Sequence, residues 1–250
     1  MSINKFPPKP KYDPDTGPVY LYGIHTVRAA LDNPRRIKRV LLATPNGLNR
    51  LNEGGGTGKV TVKETNPKEL DRLLGADAVH QGVALEVDPV DRFGLDDIRD
   101  LKLVVILDQV TDPHNVGAIL RTSCAFGADA VLTTARYAPR ETGVMAKSAS
   151  GALDQIPLIE VRNLGDALEK LKARGLLVLG FDSEAEQPLK PRTDNRPMAI
   201  VLGAEGKGLR QKTRSLCDEM VKLEMPGPIK SLNVSNAAAI ALFAATAGRS

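Results

Sequence analysis

The stretch LKLVVILDQVTDPHNVGAILRT, residues 101–122, decides the fold. Its first part, Leu103 to Leu107, is a continuous apolar run with no alternating polar residue, the pattern of a strand buried on both faces. Asp112-Pro113 then supplies a helix cap and a first-turn residue, and Gly127 after Phe126 supplies a stop. Together they predict a helix from Pro113 to Phe126. The same alternation continues downstream. Further strands are expected at Ala130–Thr134, Leu176–Phe181, Ala199–Leu202 and Met220–Leu223, and further helices at Thr142–Ala152, Leu164–Arg174 and Val234–Ala247. Buried strands alternating with helices predict an α/β domain with a parallel sheet covered on both faces.

Upstream of residue 101 the pattern is that of a smaller α/β unit. It has a helix at His25–Leu31, a strand at Arg39–Ala43, a Gly-rich turn at Gly54–Gly58, a helix at Pro67–Leu74 and a strand at Val83–Val87. Residues 1–18 carry five prolines, which deny them regular structure and predict a flexible tail. The expected organisation is therefore tail 1–18, small α/β domain 19–88, acidic linker 89–100 and larger α/β domain 101–250.

Composition narrows the class. With 42% hydrophobic and 26% charged residues, the 250-residue chain is that of a globular protein and not a disordered one. No apolar run approaches the roughly 20 residues a bilayer needs, and the N-terminus has no apolar signal core, so a cytoplasmic protein is expected. Cys124 and Cys217 form neither a disulfide framework nor a metal-ligand spacing, and no metal is expected. A net charge of +4 is compatible with a polyanionic partner. Arg35, Arg36, Lys38 and Arg39 crowd beside the strand at Arg39–Ala43. They are either a solvated loop or contacts to RNA phosphates.

Ligands of α/β sheets lie beyond the carboxyl ends of strands, and three polar clusters follow strands here. The first, Asp108 to Thr122, includes Asn115 and places Arg121 seven residues after His114, on nearly the same helical face. In the second, Gly203-Ala204-Glu205-Gly206-Lys207-Gly208-Leu209, three glycines surround one carboxylate, so a ligand can approach the backbone closely. The third, Glu224 to Ala237, holds Ser231, Asn233 and Ser235 at a helix start, where one or two of them are accounted for as caps. None is a dinucleotide fingerprint, and the run Gly54–Lys59 fails as a phosphate-binding loop, which argues against a nicotinamide oxidoreductase and against nucleoside triphosphate binding.

The three clusters in this order, D-P-H-N-x-G-A-I-x-R-T, V-L-G-x-E-G-x-G-L and S-L-N-V-S, resemble the SpoU/TrmH (SPOUT-class) family of RNA 2′-O-ribose methyltransferases. The resemblance covers residues 101–250. It implies a deep C-terminal trefoil knot, S-adenosylmethionine as methyl donor, and a homodimer acting on structured RNA, with no DNA or membrane partner. It assigns Asn115, Arg121, Glu205, Ser231 and Asn233 to the active site, and places Leu202, Gly203, Leu223 and Leu232 against the donor. The N-terminal unit resembles the L30e-like RNA substrate-binding domain of such enzymes, through Gly23-Ile24-His25 and His80-Gln81-Gly82-Val83-Ala84. One departure is visible: Leu223-Glu224-Met225 stands where the family often has Ile-Pro-Met, with prolines displaced to 226 and 228.

By family analogy the expected substrate is a guanosine of 23S rRNA, with a tRNA ribose or a non-catalytic RNA-binding assembly role as alternatives. Arg121 is expected to hold a phosphate or stabilise the developing alkoxide, because a guanidinium that is always protonated makes a poor general base. With four Tyr, five Phe and no Trp there is no clear base-stacking stripe, so recognition through RNA shape, phosphates and 2′-hydroxyls is expected.

Overall fold

The computed structural model describes residues 19–191 and 195–248; the tail expected at 1–18 lies outside the described residues. Two sheets organise the described residues. The first has the order β1-β4-β2-β3, from β1 (Val19–Tyr22), β2 (Lys38–Ala43), β3 (Thr61–Glu64) and β4 (Val83–Val87), with helices α1 (Ile24–Asp32), α2 (Pro45–Glu53) and α3 (Pro67–Leu74) between them. Strand β4 pairs antiparallel with β1 and β2, and β3 runs parallel to β2.

The second sheet is parallel throughout, as the apolar runs predict. Its order is β7-β6-β5-β10-β8-β11-β9. The strands are β5 (Leu103–Asp108), β6 (Ala130–Thr134), β7 (Leu158–Val161), β8 (Leu177–Phe181), β9 (Gln187–Pro188), β10 (Met198–Gly203) and β11 (Glu219–Lys222). The helices are α4 (Pro113–Ala125), α5 (Gly143–Ala149), α6 (Leu164–Ala173), α7 (Gln211–Leu216) and α8 (Val234–Thr246). Successive side chains of β5 point to opposite faces. Leu103, Val105 and Leu107 join an apolar cluster with α4, α5 and α8, whereas Val104 and Ile106 join a second one with Leu164 and Leu168 of α6. Within the described residues, no helix is long and apolar enough to cross a membrane.

Three expectations change. The helix predicted to run to Ala152 stops at Ala149, because Ser150 (φ 49°) and Gly151 (φ 97°) turn left-handed before a short 3-10 turn at Ala152–Asp154. The linker is packed and does not hang free. Phe93, Leu95 and Ile98 are buried in the second cluster, and Phe93 bridges in parallel to Ile159 on the edge strand β7.

The third concerns the cationic cluster. Arg36 is only 4% exposed and lies between the two sheets' domains. Its guanidinium donates to Glu141 Oε1 at 2.8 Å, to both carboxylate oxygens of Asp154 at 2.9 and 3.0 Å, and to the carbonyl of Asp88 at 3.0 Å. The phosphate-contact reading is therefore overturned for Arg36, since a fully paired buried cation has nothing to offer RNA. Its neighbours are also engaged in the protein. Lys38 Nζ donates to the carbonyls of Leu31 and Asn33 at the end of α1, Arg39 pairs with Asp88 at 2.6 Å, and Arg35 lies 4.6 Å above the Phe93 ring.

The two halves share one apolar core as well. Leu21, Val27, Leu41 and Leu85 of the first unit belong to the same cluster as Val105, Met145 and Leu242. Two glycines permit the contact: a Cβ on Gly143 would lie 2.6 Å from the carbonyl of Tyr20, and one on Gly151 2.8 Å from the Ala29 methyl.

Candidate active site

The three polar clusters all sit past carboxyl ends of strands, after β5, β10 and β11. After β5, Asp112 caps α4 by accepting from the N–H groups of His114 and Asn115, which fixes the first turn and with it the Asn115 side chain. After β10 the chain folds back on itself: Gly208 N–H donates to the Ala204 carbonyl at 3.0 Å, and Gly206 and Gly208 take φ of 74° and 62°. This turn tolerates no side chain at Gly203, where a Cβ would sit 2.2 Å from the Gly208 carbonyl. The buried Asp108 carboxylate anchors the far end of the turn on Arg210, through its N–H at 3.2 Å and Nε at 2.7 Å. After β11, Asn233 caps α8, accepting from Ser235 N–H at 2.9 Å.

These caps bring three expected residues together. Asn233 Nδ2 donates to Glu205 Oε1 at 2.7 Å and to Asn115 Oδ1 at 2.9 Å, and Asn115 Nδ2 reaches Glu205 Oε1 at 3.3 Å. The N–H of Val234 adds a fourth contact, to Glu205 Oε1 at 3.2 Å. One carboxylate thus ties together all three loops.

A cleft opens on one side of Glu205. All four residues expected against the donor line it, Leu202, Gly203, Leu223 and Leu232, and so does Ser231. Phe181, Val234 and Ala237 add to an apolar wall, and Ala204, Glu205, Gly206 and Gly208 also line the cleft. The departure at Leu223-Glu224-Met225 leaves both Leu223 and Met225 in the lining. An apolar wall for an adenine ring, free backbone for its polar edge and a carboxylate for a sulfonium fit S-adenosylmethionine. Among the described residues, no group of three or more His, Cys, Asp or Glu side chains is arranged to hold a metal ion.

Arg121 is not brought into this set. It lies six positions after Asn115, which turns its side chain by roughly 120° around α4. It is exposed and has no hydrogen bond or ion pair with the described residues. Residues that sequence reasoning did not single out also line the site: Phe181 at the end of β8, Asp182 and Ser183 after it, and Tyr137 after β6. Their position past a strand end was the available signal, but no glycine or cap pattern marks them. Cys217 lies near β8, and burial pushes its thiol up to about 12.

Three strand-end loops thus converge on one carboxylate beside the cleft, and the chain belongs to the SpoU rRNA Methylase family, whose model matches residues 102–243. Residues 20–93 match a second family, described as RNA 2'-O ribose methyltransferase substrate binding. Among curated proteins, the chain is 40% identical over 240 residues to the 23S rRNA (guanosine-2'-O-)-methyltransferase RlmB of Pseudomonas putida, covering 92% of this chain and 96% of that one. It is 37% identical over 242 residues to the protein of the same name from Vibrio vulnificus, covering 92% and 97%. Among solved structures it is similar to the SpoU methyltransferase AviRb from Streptomyces viridochromogenes in complex with AdoMet, with a TM-score of 0.79 and 25% identity over 94% of this chain and 91% of that one.

Proposed function

We propose that this enzyme transfers the methyl group of S-adenosylmethionine to the 2′-hydroxyl of a guanosine in 23S rRNA. The observation that carries the reading is the hydrogen-bonded set Asn115, Glu205 and Asn233 beside the apolar-walled cleft. S-adenosylmethionine brings a methyl already on a good leaving group, so the protein's work is to place the ribose oxygen in line and to ease proton loss. Leu202, Gly203, Leu223 and Leu232 hold the donor. Asn115, Glu205 and Asn233 orient the ribose, and Ser231 stands at the cleft mouth. Arg121, with no hydrogen-bond or ion-pair partner among the described residues, takes the phosphate or the developing alkoxide charge.

Residues 19–88 serve as the RNA substrate-binding domain, 89–100 as a packed linker and 101–250 as the catalytic domain, whose chain is threaded as a trefoil knot. The exposed part of the old cationic cluster, chiefly Arg39, lies toward the RNA. The working form is a homodimer in the cytoplasm. In its support, α8 carries Ile240 at 43% and Phe243 at 61% exposure on one face, beside Phe126 of the α4 terminus.

The test is methyl transfer from labelled S-adenosylmethionine to ribosomal RNA from cells lacking this protein, with the product nucleoside identified by mass spectrometry. A 2′-O-methylguanosine is expected. No donor binding at all would favour the non-catalytic RNA-binding alternative.

A further inference from the structure

Glu205 stands between two clefts. On the side away from the donor lies a second one, lined by Gln109, Thr111, Asp112, Asn115, Tyr137 and Lys207. Its chemistry differs from that of its neighbour. The Gln109 carboxamide, the Thr111 and Tyr137 hydroxyls and the Lys207 ammonium all border it, and none of these groups has a hydrogen-bond partner among the described residues. Gln109 is also held at φ 65°, a left-handed conformation that non-glycine residues seldom adopt. Strain of this kind persists where the surroundings impose it, and it concentrates where a side chain must be aimed.

We infer that this second cleft receives the base of the target nucleotide, with Tyr137 against its face and Gln109 on its hydrogen-bonding edge. The inference rests on the proposed 2′-O-methyl transfer, because a ribose whose hydroxyl lies at Asn115 and Glu205 must send its base to one side. The donor cleft occupies the other. Enzymes acting on a nucleotide in structured RNA draw it out of the stack and hold it by aromatic contact and by hydrogen bonds to its edge. A purine with an exocyclic amino group beside its ring N–H offers two adjacent donors, which the two lone pairs of one carboxamide oxygen can accept. Lys207, exposed at the mouth, meets a flanking phosphate.

Two variants test this. Gln109→Gly removes the side chain and suits the left-handed backbone, so it does not threaten the fold. Tyr137→Ala removes the platform. The substrate is a synthetic RNA spanning the nucleotide that the wild-type enzyme methylates in ribosomal RNA, made with guanosine or with inosine, which lacks the amino group. The wild type is expected to prefer guanosine in kcat/KM by about 5- to 150-fold, and Gln109→Gly to lose that preference. Tyr137→Ala should lower kcat/KM on both RNAs by about 5- to 150-fold. Calorimetric affinity for S-adenosylmethionine should stay at the wild-type value in both variants. Unchanged kcat/KM and unchanged preference would overturn the base assignment and leave the proposed function standing. Loss of donor affinity in either variant would overturn it too, by moving the residue to the donor side. A wild-type enzyme that binds the donor and methylates no ribose would remove both readings together.

Discussion

Replacing Arg36 by alanine should cost this protein a large part of its stability, by an amount the surroundings of Arg36 define. The guanidinium satisfies two carboxylates, Glu141 and Asp154, and the Asp88 carbonyl, and the Arg36, Glu141 and Asp154 side chains are each about 1% exposed. Removing one member of such a group strands its partners without water, at a cost of ~3–5 kcal/mol. Two carboxylates are stranded here, so the upper half of that range is expected. Against a net stability of ~5–15 kcal/mol, a loss of ~4–5 kcal/mol moves the thermal midpoint by roughly 8–20 °C. The pH dependence gives a second handle. Burial pushes the Glu141 carboxyl up, and the Arg36 guanidinium beside it pulls the other way. Without Arg36 the carboxyl rises further. A folded-state pKa raised above its unfolded value gives stability that is present at low pH and lost as pH rises through the folded value. The deficit of the variant should therefore shrink on going from about pH 7.5 to about pH 5.5. Urea denaturation at the two pH values measures it. A loss below ~1 kcal/mol, or one that does not change with pH, would refute the assignment of Arg36 as the cation holding two buried carboxylates.

The turn after β10 gives a second prediction: Gly203→Ala forces a Cβ to 2.2 Å from Gly208, so the turn must open and S-adenosylmethionine affinity should fall by at least about tenfold in calorimetry. Wild-type affinity would show that this turn does not shape the donor cleft. Asn233→Asp sets a carboxylate where an amide now lies 2.7 Å from Glu205; the two acids would share a proton, so methyl transfer should be weak above neutrality and partly recover as pH falls. A pH-independent loss would argue that Asn233 acts only as the α8 cap. Cys217, with its thiol pushed up to about 12, should alkylate slowly near pH 8, where about one molecule in ten thousand carries the thiolate. Rapid labelling, located by peptide mass spectrometry, would show that the thiol is not buried as described.

The parts legible in the sequence are those where apolar contrast is high. Strand β6 and helix α3 fall on the expected residues, and β5 and α4 within one residue of them, because unbroken Val/Ile/Leu runs and Asp-Pro or Asn-Pro caps leave little choice. The elements that escaped are polar or short. Strand β3 is exposed at every position, β7 carries Glu160 among four residues, and α2 begins Pro-Asn-Gly, which reads as a turn until Thr44 is seen accepting from Gly47 N–H. Of the site, Asn115, Glu205 and Asn233 were identifiable by motif, and each owes its position to a cap or a glycine turn. The role of Arg36 was not legible, since its partners Glu141 and Asp154 lie more than a hundred residues away and only the fold brings them near.

The packed linker has a consequence for how the chain is made. Phe93 seals the edge of β7 by accepting from Glu160 N–H at 2.7 Å and donating to the Leu158 carbonyl at 3.3 Å. At the other rim the sheet ends in the two-residue β9, where Pro188 removes a donor. On the ribosome Phe93 emerges well before β7 exists, so the segment waits, unseated, through the synthesis of β5, α4 and β6. The clasp that joins the first unit to the catalytic sheet closes only once Leu158–Val161 has left the exit tunnel.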